Sequence, residues 1–486
     1  MIALPRNNIR LEDIQAAARG AELRLSPRGY RLIAAGRKTI MKILEERQPV
    51  YGVNTGFGAL ADKAIPLEKI TELQRNLVMS HAVGCGNPLT REEVRAAMFL
   101  RANMLSKGFS GVRCKLVEQI LTMLGHDVVP VVYESGSVGA SGDLAPLAHI
   151  ALVIIGRGEA FVKGRRMTGA RALRAAGLQP YVLQPKEGLA LINGTEVMTA
   201  VGALAALRAE RLLGLADLAG AATCAALGAN PRVFRPDLHA LKPHPGQQFV
   251  AARLGRFLRG GEFDRKRVQD AYSIRCMPQV HGAARAGVEF ARRLLEAEAN
   301  SVTDNPLLLG GSAVSGGNFH GAAIALGLDT MAIALTQLAA ISERRIFRLL
   351  DPKLSGLPPF LAPDAGVNSG LMVVQMLAAT LVTDCKLLAA PASVHSLPTS
   401  ADQEDFVSMG MNSAVKARNV CDKAETVIAL ELLCAAQGLD LSGKRTPARL
   451  RPALRKLRVA VPVLKQDREL YTDIANIKSL LPELAG

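Results

Sequence analysis

Apolar residues recur with helical spacing along most of the chain. Between residues 411 and 437, Val420, Ala424 and Val427 share one face of a helix, while Lys423 lies off that face. Segments rich in glycine and proline separate such stretches. The pattern therefore predicts a bundle of long helices over residues 197–227, 268–298, 321–350, 369–388 and 411–437.

The N-terminal part of the chain mixes helical stretches with short strands and glycine-rich loops. The pattern predicts short helices over 1–50, a loop over 51–65, helices over 67–125, a strand and a loop over 127–142, a helix over 145–155, and a small hairpin with a helix over 156–188. We expect a mainly α fold. A mixed N-terminal domain should cover residues 1–192, and a long-helix domain should cover residues 193–486.

Composition agrees with close-packed helices. The chain has 486 residues, no tryptophan and only 4% aromatic residues, so its core must consist mostly of small aliphatic side chains. The net charge is +16, from 59 basic and 43 acidic residues. Basic clusters such as Arg165-Arg166 are short and scattered, which favours a solvated basic surface over a nucleic-acid interface.

The cysteines and the N-terminus favour a reducing compartment. Seven cysteines form no CxxC pair, and the N-terminus has no apolar signal core. Asp217, Asp329 and Asp384 interrupt the most apolar runs, and the histidines form no HExxH motif. We therefore expect a soluble, cytoplasmic protein without a metal, a membrane anchor or a nucleic-acid partner.

Small residues fill almost every position from Gly136 to Gly142. A plain explanation is a flexible turn in which Asp143 caps the following helix. A chemical explanation is that the Gly142 nitrogen attacks the Ala140 carbonyl carbon, because a glycine lacks the Cβ that would crowd this approach. Loss of water from the ring and from Ser141 would leave 4-methylideneimidazole-5-one (MIO), a strong electrophile that needs no added cofactor.

Ten motifs in order resemble the family of histidine, phenylalanine and tyrosine ammonia-lyases and aminomutases. They cover nearly the whole chain, at 51–58 (YGVNTGFG), 73–84, 136–148 (GSVGASGDLAPLA), 191–195 (LINGT), 269–280 (QDAYSIRCMPQV), 300–307, 315–321 (SGGNFHG), 341–345, 366–370 and 391–410. The resemblance implies that Ala140-Ser141-Gly142 forms the MIO group. It also implies a homotetramer whose active sites are each assembled from several subunits.

The resemblance also assigns roles to individual residues. It marks Tyr51 as the base that removes the β-proton, although a tyrosine needs a positive environment for this task. Packing of Tyr51 as a loop aromatic is the alternative. It assigns Arg275 to the substrate α-carboxylate, where a fork of donors suits two oxygens, although a surface ion pair is also open. Tyr272 and Gln269 are expected nearby.

Three further residues complete the set that the resemblance implies. Asn193 is an amide donor for the substrate carboxylate or the ring oxygen, unless it only caps the helix near Thr195. Asn318 and Phe319 are expected to line the pocket, and a purely structural role is the alternative for both.

Two features bear on the substrate. Ser80-His81 matches the pair found in histidine lyases, and His81 can form a hydrogen bond with a polar ring, whereas a phenyl ring could not reciprocate. Glu404 matches an acidic residue of histidine lyases that could pair with an imidazole nitrogen. Both favour conversion of L-histidine to trans-urocanate and ammonia.

Several positions depart from the histidine-lyase pattern, at Glu196, Cys385, Ala390, His395 and Phe406. They leave open a tyrosine or phenylalanine ammonia-lyase, or a tyrosine 2,3-aminomutase that returns ammonia to the β-carbon. A non-catalytic helical scaffold with a degenerate site is the most distant alternative.

Overall fold

The structure is a computed structural model that describes residues 1–46, 49–263 and 268–484. Packing divides the chain into two units. The first comprises Met1–Leu204, Ala291–Asp329 and Pro391–Val415, and the second comprises Ala205–Phe290, Thr330–Ala390 and Lys416–Gly486. Each unit is assembled from three separate segments of the chain. The predicted domain boundary between residues 192 and 193 stays a prediction.

Helices make up most of the described chain, as the apolar spacing predicts. They are α1 (Leu11–Ala18), α2 (Pro27–Glu45), α3 (Ile70–His81), α4 (Arg91–Ser106), α5 (Cys114–Gly125), α6 (Leu144–Ile154), α7 (Gly169–Ala175), α8 (Glu187–Ile192), α9 (Glu196–Leu227), α10 (Pro236–Ala240), α11 (Pro245–Leu258), α12 (Tyr272–Arg275), α13 (Met277–Ala299), α14 (Ala322–Leu350), α15 (Pro352–Ser355), α16 (Met372–Leu388), α17 (Gly410–Ser442), α18 (Arg451–Ala460) and α19 (Leu470–Leu484). The predicted mainly α fold is confirmed.

The strands are short and form four small sheets within the described residues. They are β1 (Ile2–Leu4), β2 (Leu23–Leu25), β3 (Cys85–Pro88), β4 (Val128–Pro130), β5 (Tyr133–Ser135), β6 (Glu159–Val162), β7 (Arg165–Thr168), β8 (Leu307–Leu309) and β9 (Ser312–Val314). β1 and β2 pair in parallel, and the antiparallel pairs are β3 with β5, β4 with β6, β6 with β7, and β8 with β9. The predicted hairpin after residue 156 is the β6–β7 pair.

The long helices α9, α13, α14 and α17 contribute residues to both units. α9 is buried on nearly all sides, as expected for a helix rich in alanine and leucine around its whole circumference. α14 is long and apolar enough by composition to cross a membrane, and 61% of its most apolar window is buried inside the protein, as is common for a core helix.

Three local predictions differ from the structure. Within residues 67–125, predicted as helical, strand β3 separates α3 from α4. Within residues 1–50, of which residues 47 and 48 lie outside the described set, α2 is 19 residues long rather than short. The helix predicted over 268–298 is interrupted, because α12 ends at Arg275 and α13 starts again at Met277. Pro278 explains the break, since a proline lacks the N–H of a helix interior and is tolerated only in the first turn.

Candidate active site

The segment from 136 to 143, called here the reactive loop, holds an unusual backbone conformation. Ser141 has φ +49° and Gly142 has φ +80°, both in the left-handed region. A residue with a Cβ rarely adopts this region, so Ser141 is held there against its own preference. A Cβ on Gly142 would also collide with the carbonyl oxygen of Gly194. Glycine is therefore required at position 142 for both conformation and space.

The reactive loop is clamped by Asn193 and Gly194, which follow the end of α8. The Asp143 N–H donates to the Gly194 carbonyl oxygen at 2.6 Å. The Asn193 Nδ2 donates to the Ser141 carbonyl oxygen at 2.9 Å. On the other side, the Met409 N–H donates to the Val138 carbonyl oxygen at 2.8 Å. Both flanks of the loop are thus fixed by hydrogen bonds.

Neither of the two side chains for which the sequence left a capping role open makes a capping hydrogen bond, although Asp143 does occupy the N-cap position of α6. Asp143 makes no side-chain capping bond to α6. Its carboxylate accepts instead from the Met198 N–H of α9 at 2.7 Å. The carboxyl is fully buried, and burial raises the pKa of Asp143 to about 7. Asn193 does not cap α9 either, because its Oδ1 is buried without a partner among the described residues.

Two adjoining cavities in the first unit, of about 740 and 630 Å³, meet at the reactive loop. Tyr51, Gly58, Ser141 and Glu404 line both of them. Phe319 lines the larger cavity, and Ser80, His81 and Asn193 line the smaller one. The structure therefore brings together, around one loop, most of the site residues predicted for this part of the chain.

Tyr51 faces both cavities from the glycine-rich loop. Its hydroxyl accepts from the Gly58 N–H at 3.2 Å, and its ring packs edge-on against Phe57. Burial raises the pKa of Tyr51, and the nearby Glu404 carboxylate raises it further. Within the first unit, Tyr51 is therefore a neutral phenol at neutral pH.

Glu404 forms hydrogen bonds with two hydroxyls. Its Oε1 accepts from the Ser141 hydroxyl at 3.2 Å, and its Oε2 accepts from the Thr399 hydroxyl at 2.7 Å. Sequence reasoning missed Thr399, because a hydroxyl in an irregular segment leaves no periodic signal. The second hydrogen bond fixes the carboxylate so that it faces the reactive loop.

His81 is oriented by the end of its own helix. Its Nδ1 lies 2.8 Å from the Leu77 carbonyl oxygen, which can only accept, so Nδ1 carries the proton. Its Nε2 is then the acceptor. Burial lowers the pKa of His81, so the ring is neutral near pH 7. Ser80 donates its hydroxyl to the same carbonyl at 3.1 Å.

Four predicted site residues outside the reactive loop do not line either cavity. Gln269, Tyr272 and Arg275 belong to the second unit, where the Arg275 guanidinium lies 4.5 Å from the centre of the Tyr272 ring. With its amide oxygen turned toward the guanidinium, Gln269 accepts from Arg275. Asn318 is exposed and donates to the Val302 carbonyl oxygen at 3.3 Å. The roles that the resemblance implies for these four residues stay predictions.

Comparison with known proteins decides the family. The aromatic amino acid lyase family matches residues 9–461. The chain belongs to this family. The family predicted from the ten motifs is thereby confirmed.

Relatives within the aromatic amino acid lyase family match the chain over almost its whole length. The chain is 52% identical to a histidine ammonia-lyase of Anaeromyxobacter sp. (strain K), with 99% of this chain and 98% of that protein covered. Among solved structures, it is similar to histidine ammonia-lyase from Trypanosoma cruzi, with TM-score 0.93, 42% identity, and 99% and 93% of the two chains covered. It is also similar to tyrosine aminomutase from Streptomyces globisporus, with TM-score 0.94, 35% identity, and 99% and 97% covered.

Of the five positions that depart from the histidine-lyase pattern, three lie in the first unit and two in the second. Phe406 and His395 are exposed in the first unit, and the Phe406 ring stacks on His320. Glu196 is buried and pairs with Arg101 behind Asn193. Cys385 is buried and Ala390 exposed in the second unit. Of the three first-unit departures, only Glu196 lies against the clamp of the reactive loop. Arg101 itself escaped sequence reasoning, because its partner is distant in the chain.

Within the described residues, no group of three or more histidine, cysteine, aspartate or glutamate side chains is placed so that it could hold a metal ion, and the expectation that the chain holds no metal stays a prediction.

Proposed function

We propose that the chain is an ammonia-lyase that converts L-histidine to trans-urocanate and ammonia, with an MIO electrophile formed from Ala140, Ser141 and Gly142. The observation that carries the proposal is the reactive loop, with Ser141 and Gly142 in left-handed conformations clamped by Asn193 and Gly194. The histidine ammonia-lyases among its relatives support the same reaction.

The residues present fit the cyclisation. The Gly142 nitrogen bonds to the Ala140 carbonyl carbon, and the Ala140 oxygen leaves as water with the amide protons of Gly142 and Ser141. The Ser141 hydroxyl leaves as a second water with the Ser141 Cα proton. Asn193 holds the Ser141 carbonyl oxygen, which remains on the product ring. When formed, the group supplies an electrophile that takes up the substrate amine and makes ammonia a better leaving group.

The acceptors around the smaller cavity favour an imidazole substrate. Loss of the Ser141 hydroxyl removes a donor from Glu404 Oε1, so this oxygen becomes available to another donor. His81 Nε2 is a second acceptor, because Nδ1 holds the proton. An imidazole ring carries N–H donors for such groups, whereas a phenyl ring carries none.

The remaining roles follow the family resemblance. Tyr51 would remove the β-proton, and Arg275, with Tyr272 and Gln269 beside it, would bind the α-carboxylate. Asn318 and Phe319 would shape the pocket. We propose that these residues meet in a homotetramer, and the cytoplasm stays the predicted compartment.

A tyrosine 2,3-aminomutase, or a tyrosine or phenylalanine ammonia-lyase, is the second candidate. It is favoured by the similarity to an aminomutase structure with TM-score 0.94. A tyrosine substrate also carries one hydroxyl donor that Glu404 or His81 could accept.

Two measurements on the purified chain test the proposal. Intact-mass analysis should give a mass lower by two waters than the translated sequence, and an unmodified mass would refute the electrophile. Ultraviolet assays with histidine, tyrosine and phenylalanine should show urocanate formation as the fastest reaction. Formation of β-tyrosine from tyrosine without turnover of histidine would instead establish the aminomutase.

A further inference from the structure

A buried ion pair lies directly behind the clamp of the reactive loop. Arg101 of α4 and Glu196 of α9 approach to 2.8 Å between Nη2 and Oε2, with side chains 2% and 5% exposed. The other Glu196 oxygen accepts from the Thr303 hydroxyl at 2.9 Å. Neither charged residue lines the two cavities, so neither is arranged to touch a substrate there.

The same guanidinium also holds the backbone of the clamp. Arg101 Nη1 donates to the Asn193 carbonyl oxygen at 3.0 Å. Gly194 packs so closely against Arg101, Glu196 and Thr303 that a Cβ would not fit. The positions of the Asn193 side chain and the Gly194 carbonyl, which contact the reactive loop, are therefore set by this pair.

We propose that Arg101, paired with Glu196, is a positioning residue for cyclisation of the reactive loop. It holds the Asn193–Gly194 backbone where Asn193 binds the Ser141 carbonyl and Gly194 binds the Asp143 N–H. The inference rests on the proposed function, because the step affected is the C–N bond formation between Gly142 and Ala140 with loss of two waters.

Small displacements should matter for this step. A misplacement of about 1 Å in a reacting geometry can cost about a hundredfold in rate. Removing one partner of a buried ion pair leaves the other charge uncompensated, so the local backbone is expected to shift. Burial already raises the pKa of Glu196, and loss of Arg101 would favour its protonation further.

The test follows dehydration itself rather than turnover. Full-length chains are made by cell-free synthesis, the folded fraction is isolated, and the loss of two waters is followed by intact mass over time. Arg101→Met should slow dehydration of folded chains by at least about tenfold. Arg101→Lys keeps a positive charge but cannot bridge Glu196 and Asn193 with one rigid fork, so it should also be slow. Glu196→Gln leaves the Arg101 charge without its counterion but keeps an acceptor oxygen and the hydrogen bond from Arg101 to Asn193, so it should slow dehydration less than either Arg101 variant.

Arg95→Met is the matched control. Arg95 lies on the same helix and is similarly buried, but it binds the Ala18 and Leu124 carbonyls and Asp127, not the clamp. It should lower stability and leave dehydration of folded chains unchanged. Normal dehydration in both Arg101 variants, or equal slowing by Arg95→Met, would overturn the inference. If Arg101→Met does not fold, the comparison of Arg101→Lys with Glu196→Gln decides. Absence of dehydration in the chain without substitutions would refute the proposed function as well. Failure of the inference about Arg101 and failure of the proposed function are therefore distinguishable.

Discussion

The reactive loop and the loop that carries Tyr51 line the same cavities. They differ in the hydrogen bonds that hold each of them to the rest of the first unit. The reactive loop has hydrogen bonds on both flanks, from Asn193 and Gly194 on one side and from Met409 on the other. The Tyr51 loop, residues 51–65, is tied chiefly to itself, through Gly56 to Lys63 and Ile65 to Asn54. Gln74 of α3 also holds the Tyr51 loop, because its side-chain amide donates to the Gly52 carbonyl oxygen.

Electrostatics sharpens this contrast. Formation of the proposed electrophile needs a tightly bent and firmly held backbone, which the first unit supplies. A phenolate at Tyr51 needs positive charge, yet burial and Glu404 raise the pKa of Tyr51. The proposed base is therefore incomplete within the first unit, whereas the proposed electrophile is complete. Measuring dehydration and turnover separately should therefore distinguish the role of the reactive loop from that of the Tyr51 loop.

The largest effect is expected from Ser141→Ala. Without the hydroxyl, the second water cannot leave, so no electrophile forms and turnover should fall by at least about four orders of magnitude. Intact mass and the urocanate assay measure both losses. Ser135→Ala, at an exposed serine just before the loop, is the control and should leave both unchanged. Surviving turnover in Ser141→Ala would mean that the loop is not the electrophile.

Tyr51→Phe should separate the two loops. The reactive loop does not depend on the phenol, so the chain should still lose two waters. Turnover should fall by roughly 10²–10⁴-fold, the usual range for loss of a general base. If mass and turnover were both normal, Tyr51 would be a packing residue of its loop, the alternative that the sequence left open.

The contrast between the loops also shows what sequence can and cannot predict. α9 and α14 begin and end close to the predicted residues, because the apolar residues of each helix lie within one continuous segment. The glycines of the reactive loop could also be interpreted from sequence, since a local conformation requires them. The side-chain bond of Asp143 could not be foreseen because its partner Met198 is distant in sequence, and Arg101 escaped for the same reason. Thr399 escaped because a hydroxyl in an irregular segment leaves no periodic signal. Partners brought together only by folding leave no local pattern.

The buried Asp143 carboxyl at the end of the reactive loop should make the stability of the chain depend on pH. Because its pKa rises to about 7 in the folded chain, the stability it contributes is present below the unfolded carboxyl pKa of about 3.9 and is lost as pH rises toward 7. The corresponding free-energy change is at most about 4 kcal/mol. Asp143→Asn removes this titration and keeps an acceptor for Met198.

Both chains for the Asp143 comparison should carry Ser141→Ala, so that neither forms the electrophile. Urea unfolding at pH 4.5 and pH 8 should then show that the chain with Asp143→Asn gains stability, relative to the chain that keeps Asp143, as pH rises. The exposed Asp62, changed to asparagine, should show no such trend. A pH-independent difference would mean that the Asp143 carboxyl is ionised in the folded chain.

The smallest effect is expected where the two loops meet, at Glu404. Its carboxylate accepts from Ser141 and raises the pKa of Tyr51, so it acts on both. Glu404→Gln removes a charged acceptor worth roughly 1.5–3 kcal/mol, and histidine turnover should fall about ten- to hundredfold. Phenylalanine turnover should change less, because its ring offers no donor to Glu404. The exposed neighbour Asp405, changed to asparagine, should leave the ratio of the two rates unaltered. Equal losses on both substrates, with complete dehydration, would show that Glu404 serves the Tyr51 loop rather than the substrate ring.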